Sequence, residues 1–223
     1  MSVKSIIFDC DGVILDSNTI KSDLFYQVAL PYGDRYANAL VHYHRVHGGI
    51  SRFEKFKYFF SHILKRQPVD DEYEQLIDTF HKLVIDQLCQ CSTVLGIESF
   101  LDSVPQDIPC FVVSGGFEDE LRVVFQKRGL SPFFKTIYGS PRDKFTILSE
   151  LTNDGHIDSS SLYFGDSKYD YDVSKSFNLN FIFVSRHSEF KEHLDFFRNK
   201  KIVSIPDFNS LSLNDILDTR LFF

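Results

Sequence analysis

Near its start the chain carries a run that leaves few folds open to it. Ile6, Ile7 and Phe8 are consecutive apolar residues, and the run stops at Asp9-Cys10-Asp11-Gly12. Three apolar residues in a row, without the alternation of a half-solvated strand, predict a short strand buried on both faces, as in a parallel sheet. Asp9 and Asp11 then fall at its carboxyl end, where open α/β sheets gather ligands. Gly12 allows the backbone to turn sharply just beyond them. Two carboxylates two residues apart repel one another unless a cation or a shared proton relieves them. The pattern points to a metal site with one carboxylate left free for chemistry. An ordinary Asp-Gly turn after a strand is the plainer alternative.

From Ser17 to about Val94 the period becomes helical. Ile20, Leu24 and Val28 share one face of a first helix, which ends near Pro31-Tyr32-Gly33. A second runs from Asp34 to His47. A third follows Ser51 with Phe53, Phe56, Phe60, Ile63 and Leu64 on one stripe. A fourth spans Asp70 to Cys89. No strand pattern interrupts them. From Gly96 the rhythm is α/β. Short buried strands at Cys110–Val113, Thr136–Gly139, Leu162–Phe164, Asn180–Val184 and around Ile202-Val203 alternate with single helices. That alternation implies right-handed crossovers and a parallel sheet. The predicted architecture is an α/β, Rossmann-like parallel sheet with helices on both faces and an inserted all-helical cap. Residues 1–16 and 95–223 would form the body, and 17–94 the cap.

Asp9-Cys10-Asp11-Gly12-Val13-Ile14-Leu15-Asp16-Ser17 resembles the first motif of the haloacid dehalogenase superfamily, and more closely its phosphatase and β-phosphoglucomutase branch. The resemblance implies that Asp9 is a nucleophile toward phosphorus and Asp11 the general acid/base. Later strand ends carry matching features. Ser114-Gly115-Gly116 offers a hydroxyl and unhindered N–H groups for a phosphate, though a plain Ser cap reads the same way. Lys144 follows the third strand and can offset charge on a phosphoryl group. The family usually has Lys-Pro there, where this chain has Lys144-Phe145. Gly165-Asp166-Ser167-Lys168-Tyr169-Asp170 places two acids four apart on one face of a first helical turn, suited to the hard cation Mg²⁺. Acids at a helix start are also ordinary. The order of the four motifs argues against coincidence, because it brings all of them to one sheet edge. Asp9, Asp11, Asp166 and Asp170 are thus the expected metal residues. Ser114, Gly115 and Lys144 are the expected phosphate-binding set.

The cap carries His47-Gly48-Gly49-Ile50-Ser51-Arg52, which is similar to the cap loop of the β-phosphoglucomutase-like branch. The resemblance implies that Arg52 reaches the substrate, with Lys55 one turn later as a second contact. A glycine-terminated helix followed by a Ser cap is the alternative. His42, His44 and His47 invite a zinc reading, but no Cys or carboxylate near them completes a ligand set, and partly exposed helix histidines are the simpler expectation.

A net charge of −7 argues against nucleic acid and anionic membranes as partners. Four cysteines without bridge or zinc spacing fit a reduced cytoplasm, and a core strand beginning at Val3 leaves no room for a signal peptide. The reading is a Mg²⁺-dependent phosphatase acting on a small phosphorylated metabolite through an aspartyl-phosphate, as a monomer or weak homodimer. A sugar phosphomutase is the main rival. Mutases resembling this chain carry a histidine where Lys21 stands. A phospho-accepting signalling protein and a catalytically silent binding protein are the rivals from other classes.

Overall fold

β1 (Ile6–Phe8) lies inside a six-stranded parallel sheet. The structure, a computed structural model, describes residues 3–210. The other strands are β2 (Cys110–Phe117), β3 (Thr136–Ser140), β4 (Leu162–Gly165), β5 (Asn180–Val184) and β6 (Val203–Ile205). Their order is β3-β2-β1-β4-β5-β6. The chain steps outward from β1 to β3 and then restarts on the other side at β4. This reversal beside β1 is the switch point at which open α/β sheets form a crevice.

Between β1 and Ile97 the chain forms four α-helices: α1 (Asn18–Ala29), α2 (Asp34–Val46), α3 (Arg52–Tyr58) and α4 (Glu72–Gln90). They are the expected all-helical cap. The body helices are α5 (Ile97–Ser103), α6 (Glu118–Lys127), α7 (Lys144–Asn153), α8 (Lys168–Ser176) and α9 (His193–Phe197).

The apolar run of β1 reads as it does because both faces are covered. Ile6 and Phe8 join one core with Phe100, Leu121, Val124 and Phe125 from α5 and α6. Ile7, pointing the other way, joins a second core with Ile147, Leu148 and Leu151 of α7 and Val173 of α8. Phe8 stacks on Phe164 at 5.1 Å. Phe25, Phe56 and Phe80 of the cap belong to the same continuous core as Phe8, so the cap is packed onto the body through apolar side chains. Both connections between cap and body run side by side. Asp16 N–H donates to Ser92 O, and Val94 N–H to Ile14 O, each at 2.9 Å.

Three elements differ from the sequence reading. β2 continues through Ser114-Gly115-Gly116 to Phe117, with a register shift against β3 between Val113 and Phe117. α3 passes into a π-helical stretch, Phe59–Ile63, whose wider turn puts the adjacent Phe59 and Phe60 both inside. The last body helix begins only at His193, so that Glu189 lies before it and faces Ser22 and Arg45 of the cap. The expected body domain includes residues 211–223, which lie outside the described residues. Among the described residues no helix is long and apolar enough to cross a membrane.

Phe164→Ala removes a ring that touches Phe8, Phe100 and Phe208. Urea denaturation should show a loss of roughly 3–5 kcal/mol. A loss below about 1 kcal/mol would mean the site collapses freely and is not close-packed.

Candidate active site

Four successive strand ends bring the polar side chains together. Asp9 and Asp11 follow β1, and Ser114 and Gly115 lie in β2. Lys144 opens α7 just after β3, while Asp166 and Asp170 follow β4. The carboxylates of Asp9, Asp166 and Asp170 have oxygens within 4.8 Å of one another, and all three are buried. Lys144, itself buried, lies between two of them. Its Nζ is 2.8 Å from Asp9 Oδ1 and 2.6 Å from Asp170 Oδ1. The contact with Asp170 is a hydrogen bond. The contact with Asp9 is an ion pair without hydrogen-bond geometry, and Asp9 Oδ1 has no hydrogen-bond partner among the described residues.

Asp170 is committed to the protein. Its Oδ1 also accepts from the Tyr163 hydroxyl at 2.9 Å, and its Oδ2 accepts from Ser167 Oγ at 2.5 Å. Ser167 and Asp170 cap α8 reciprocally. Asp166 is freer. Asn18 Nδ2 donates to its Oδ2 at 2.6 Å and to the His187 carbonyl at 2.8 Å. Gly12, at φ +73°, passes so close that a Cβ there would run into Asp166 and Asn18.

Burial lifts Asp9 to about 7. Lys144 opposes the rise, and Asp170 and Asp11 add to it. Burial, followed by Asp9 and Asp170, holds Asp166 well above the usual carboxylate range. Three acids against one lysine leave a formal surplus of two negative charges. Hard oxygens, an unbonded Asp9 oxygen and that surplus fit a divalent cation of the Mg²⁺ type. The Asp11 carboxylate stands apart from this cluster. Ser17 Oγ donates to its Oδ1 at 2.6 Å, and Lys21 Nζ to its Oδ2 at 2.5 Å. Burial alone would raise Asp11, but Lys21, Ser17 and the more distant Lys144 hold it below the usual range.

The cap closes the other side. The carbonyl of Gly49 sits where a Cβ on Gly115 would be, so that the cap loop touches the body backbone beside Ser114. The Ser114 hydroxyl accepts from Gly116 N–H at 3.0 Å. Between cap and body lies a cavity of about 220 Å³, bounded by Asp9, Asp11 and Asp166 below and by Lys55, His44 and Phe25 above.

Arg52, expected at the substrate, has a partner in the body. It reaches the cavity wall, but Nη1 donates to Glu120 Oε1 at 2.8 Å and Nη2 to Glu120 Oε2. Its guanidinium also lies 4.6 Å over the Phe80 ring. Arg52 is a cap–body clasp onto α6, and its charge is already answered. Lys55 does face the cavity. Its Nζ lies 2.7 Å from His44 Nδ1, and burial, reinforced by Lys21, pushes it down to about 7. Of the three cap histidines, His44 is buried, contrary to the reading of partly exposed rings.

Sequence reasoning missed Asn18, Glu120 and Glu189, and weighed Lys21 only as a missing histidine. Glu189 accepts from Ser22 Oγ at 2.8 and 2.9 Å and from Arg45 Nε at 3.0 Å, a second clasp between body and cap. A signal was present for two of these. Lys21 falls on the stripe of Leu24 and Val28, and Glu120 on that of Val124, where an unneeded charge would be excluded.

The model of the haloacid dehalogenase-like hydrolase family matches residues 6–184. The chain belongs to that family. No curated protein matches it. Among solved structures it is similar to a β-phosphoglucomutase from Clostridium difficile, at 17% identity over 96% of this chain and 95% of that one, with TM-score 0.73. A predicted phosphoglycolate phosphatase from Haemophilus somnus shares 15% identity over 93% and 96% of the two chains, with TM-score 0.73. A HAD hydrolase of family IA, variant 3, from Entamoeba histolytica shares 14% over 98% of both, also at 0.73. At these identities the likeness is one of fold, cap included.

Arg52→Met would leave Glu120 buried beside His81 alone. The expected cost is about 3–5 kcal/mol in denaturant unfolding, while Arg52→Met combined with Glu120→Leu should recover most of it. A double variant as unstable as the single one would mean that the pair is not the source of the loss.

Proposed function

We propose that the protein is a Mg²⁺-dependent phosphatase of small phosphomonoesters. The observation that carries this reading is Asp9: a buried carboxylate at a strand end, with Oδ1 against the Lys144 ammonium at 2.8 Å, among the acids that follow β4 and beside an independently held Asp11. A nucleophile needs a fixed carboxylate and a cation near the group that it attacks.

Asp9 attacks phosphorus in line. The Asp9 O–P bond forms, the ester P–O bond breaks, and Asp11 in its protonated form gives its proton to the leaving oxygen. Asp11 is then a carboxylate, the form that Lys21 and Ser17 stabilise, so the proton that it passes on has to arrive with the substrate, as the monoanion of the ester. In the second step Asp11 takes a proton from the water that attacks the aspartyl-phosphate, releasing inorganic phosphate and restoring Asp9. Lys144 faces the transferring group, with Ser114 and the Gly115 N–H as its further ligands. Asp9, Asp166 and the Asp11 carbonyl would hold Mg²⁺, with Asp170 fixing Lys144 behind them. When bound, the ion offsets charge on the phosphoryl oxygens. The cap excludes bulk water, and the partner is a small phosphorylated metabolite rather than a macromolecule.

A phosphomutase must hold a second phosphate in the cap while the first is transferred. The cavity's described cations are mostly neutralised: Lys21 by Asp11, Arg45 by Glu189, Arg52 by Glu120 and Lys168 by Asp172. That leaves too little positive charge for a second dianion and favours hydrolysis.

Asp9→Asn should abolish turnover of an aryl phosphate while leaving thermal stability equal or higher, because it removes a buried charge among like charges. Retention of more than about a hundredth of the wild-type rate would exclude Asp9 as nucleophile. EDTA should abolish activity and excess Mg²⁺ restore it, with Ca²⁺ a poor substitute because of its longer bonds and larger coordination number. Unchanged activity in chelator would exclude the metal.

A further inference from the structure

Of the four acids in the site, three meet an ammonium. Asp9 and Asp170 share Lys144, and Asp11 meets Lys21. Asp166 is held by a neutral group instead. Its Oδ2 accepts from the side-chain amide of Asn18 at 2.6 Å. The same nitrogen donates its second hydrogen to the His187 carbonyl at 2.8 Å. A carboxylate and a carbonyl only accept, which fixes the amide nitrogen toward them and spends both of its hydrogens. An amide orients a carboxylate without neutralising it, so the charge of Asp166 is kept for a cation.

Asn18 is not a body residue. It opens α1, the first helix of the cap. That helix start lacks a side-chain cap of its own, and the hydroxyl of Ser17 before it goes to Asp11. The loop that Asn18 reaches, residues 185–190, holds both partners. Ser188 Oγ donates to the Asp166 carbonyl at 2.5 Å. His187 Nδ1 lies 2.8 Å from Asp16 Oδ1, where body and cap join. Glu189 accepts from Ser22 of α1, one turn beyond Asn18, and from Arg45 of α2. Asp166 is therefore gripped by the loop at its backbone and by the cap at its side chain, while the same loop grips the cap. Moving α1 by the length of one hydrogen bond would take the donor from Asp166. Ligating carboxylates are themselves oriented by hydrogen bonds, and loss of such a partner costs roughly 10–100-fold in metal affinity.

We propose that Asn18 is a positioning residue of the cation site, and that through it Mg²⁺ binding is coupled to the seating of the cap on the body. This inference rests on the Mg²⁺ reading and adds to that site a partner supplied by the cap. With α1 seated, Asn18 holds Asp166 where its carboxylate lies within 4.8 Å of those of Asp9 and Asp170. With α1 displaced, the Asp166 carboxylate is free to rotate and the site loosens. The coupling runs both ways: the factor by which seating tightens Mg²⁺ is the factor by which bound Mg²⁺ favours the seated cap. The closed cavity is thus prepared before substrate arrives.

The test uses the full chain without substrate. Calorimetric titration with magnesium chloride gives the Kd, and hydrogen exchange of the α1 and α2 amides is followed with and without saturating Mg²⁺. Asn18→Ala should raise the Kd roughly ten- to a hundredfold. In the wild-type protein Mg²⁺ should slow exchange in α1 and α2, and in Asn18→Ala that slowing should be lost. A merely structural Asn18 would speed exchange with and without the ion alike and leave the Kd where it was, which would overturn the positioning role. Exchange in wild-type α1 and α2 that ignores bound Mg²⁺ would overturn the coupling to the cap, and this arm stands even where Asn18→Ala does not fold. Failure of the wild-type protein to bind Mg²⁺ at all overturns the cation reading itself, and the titration tells that outcome from the other two.

Discussion

One buried ammonium makes the rest of this site possible. Lys144 enters a space shared by Asp9 and Asp170, with Asp166 close by. Burying three carboxylates together is prohibitive without a counter-charge. The fixed lysine answers part of that cost and leaves the rest to be met by what binds. Burial would draw a proton off Lys144, but Asp170 and Asp9 outweigh it and keep the ammonium charged. Tyr163 and Ser167 satisfy the remaining lone pairs of Asp170, so the lysine is anchored on one side and available on the other. Gly165 permits this, since a Cβ there would collide with Asp170.

The two acids that open the site have been given opposite surroundings. Asp9 is desolvated beside like charges and held high, while Asp11, two residues on, is held low by Lys21 and Ser17. Past the end of β1 the backbone leaves the strand and the two side chains part: Asp9 meets Lys144 and the acids that follow β4, and Asp11 meets Ser17 and Lys21. A pair of carboxylates with diverging environments is the arrangement from which separate chemical roles arise.

Much of the body could be read from the chain because its signals are local. The unbroken apolar run of β1, the alternation of short strands with single helices, and the acids ending β1 and β4 each depend on neighbours in sequence. The partners of those acids do not. Nothing near Lys21 announces that its ammonium meets Asp11, and Glu120 is separated from Arg52 by two whole helices. The Glu120 partner of Arg52 was hidden for this reason: an arginine after a cap loop can meet a substrate or an acid from the other domain, and only the packing of α6 brings Glu120 to it. Likewise the extension of β2 through Ser114-Gly115-Gly116 follows from pairing with β3 rather than from residues that favour strands. The trace left in sequence was indirect. Lys21 and Glu120 interrupt apolar stripes, and a charge in such a place has to be answered by something distant.

The paired connections at Ile14–Asp16 and Ser92–Val94 set how such a protein can change over evolutionary time. Leu15 and Thr93 are bridged partners, so the inserted helices leave and rejoin the body at adjacent points, and a segment of different length could be grafted there without parting any strand of the sheet. The exchange is not free at its first turn. Asn18 and Lys21 sit in α1, yet they serve Asp166 and Asp11 of the body. A transplanted insert must therefore bring its own donors for those two acids, or the graft boundary must lie beyond Lys21. The catalytic module thus reaches one helical turn into the segment that recognises substrate, and new specificities are most readily recruited from α2 onward.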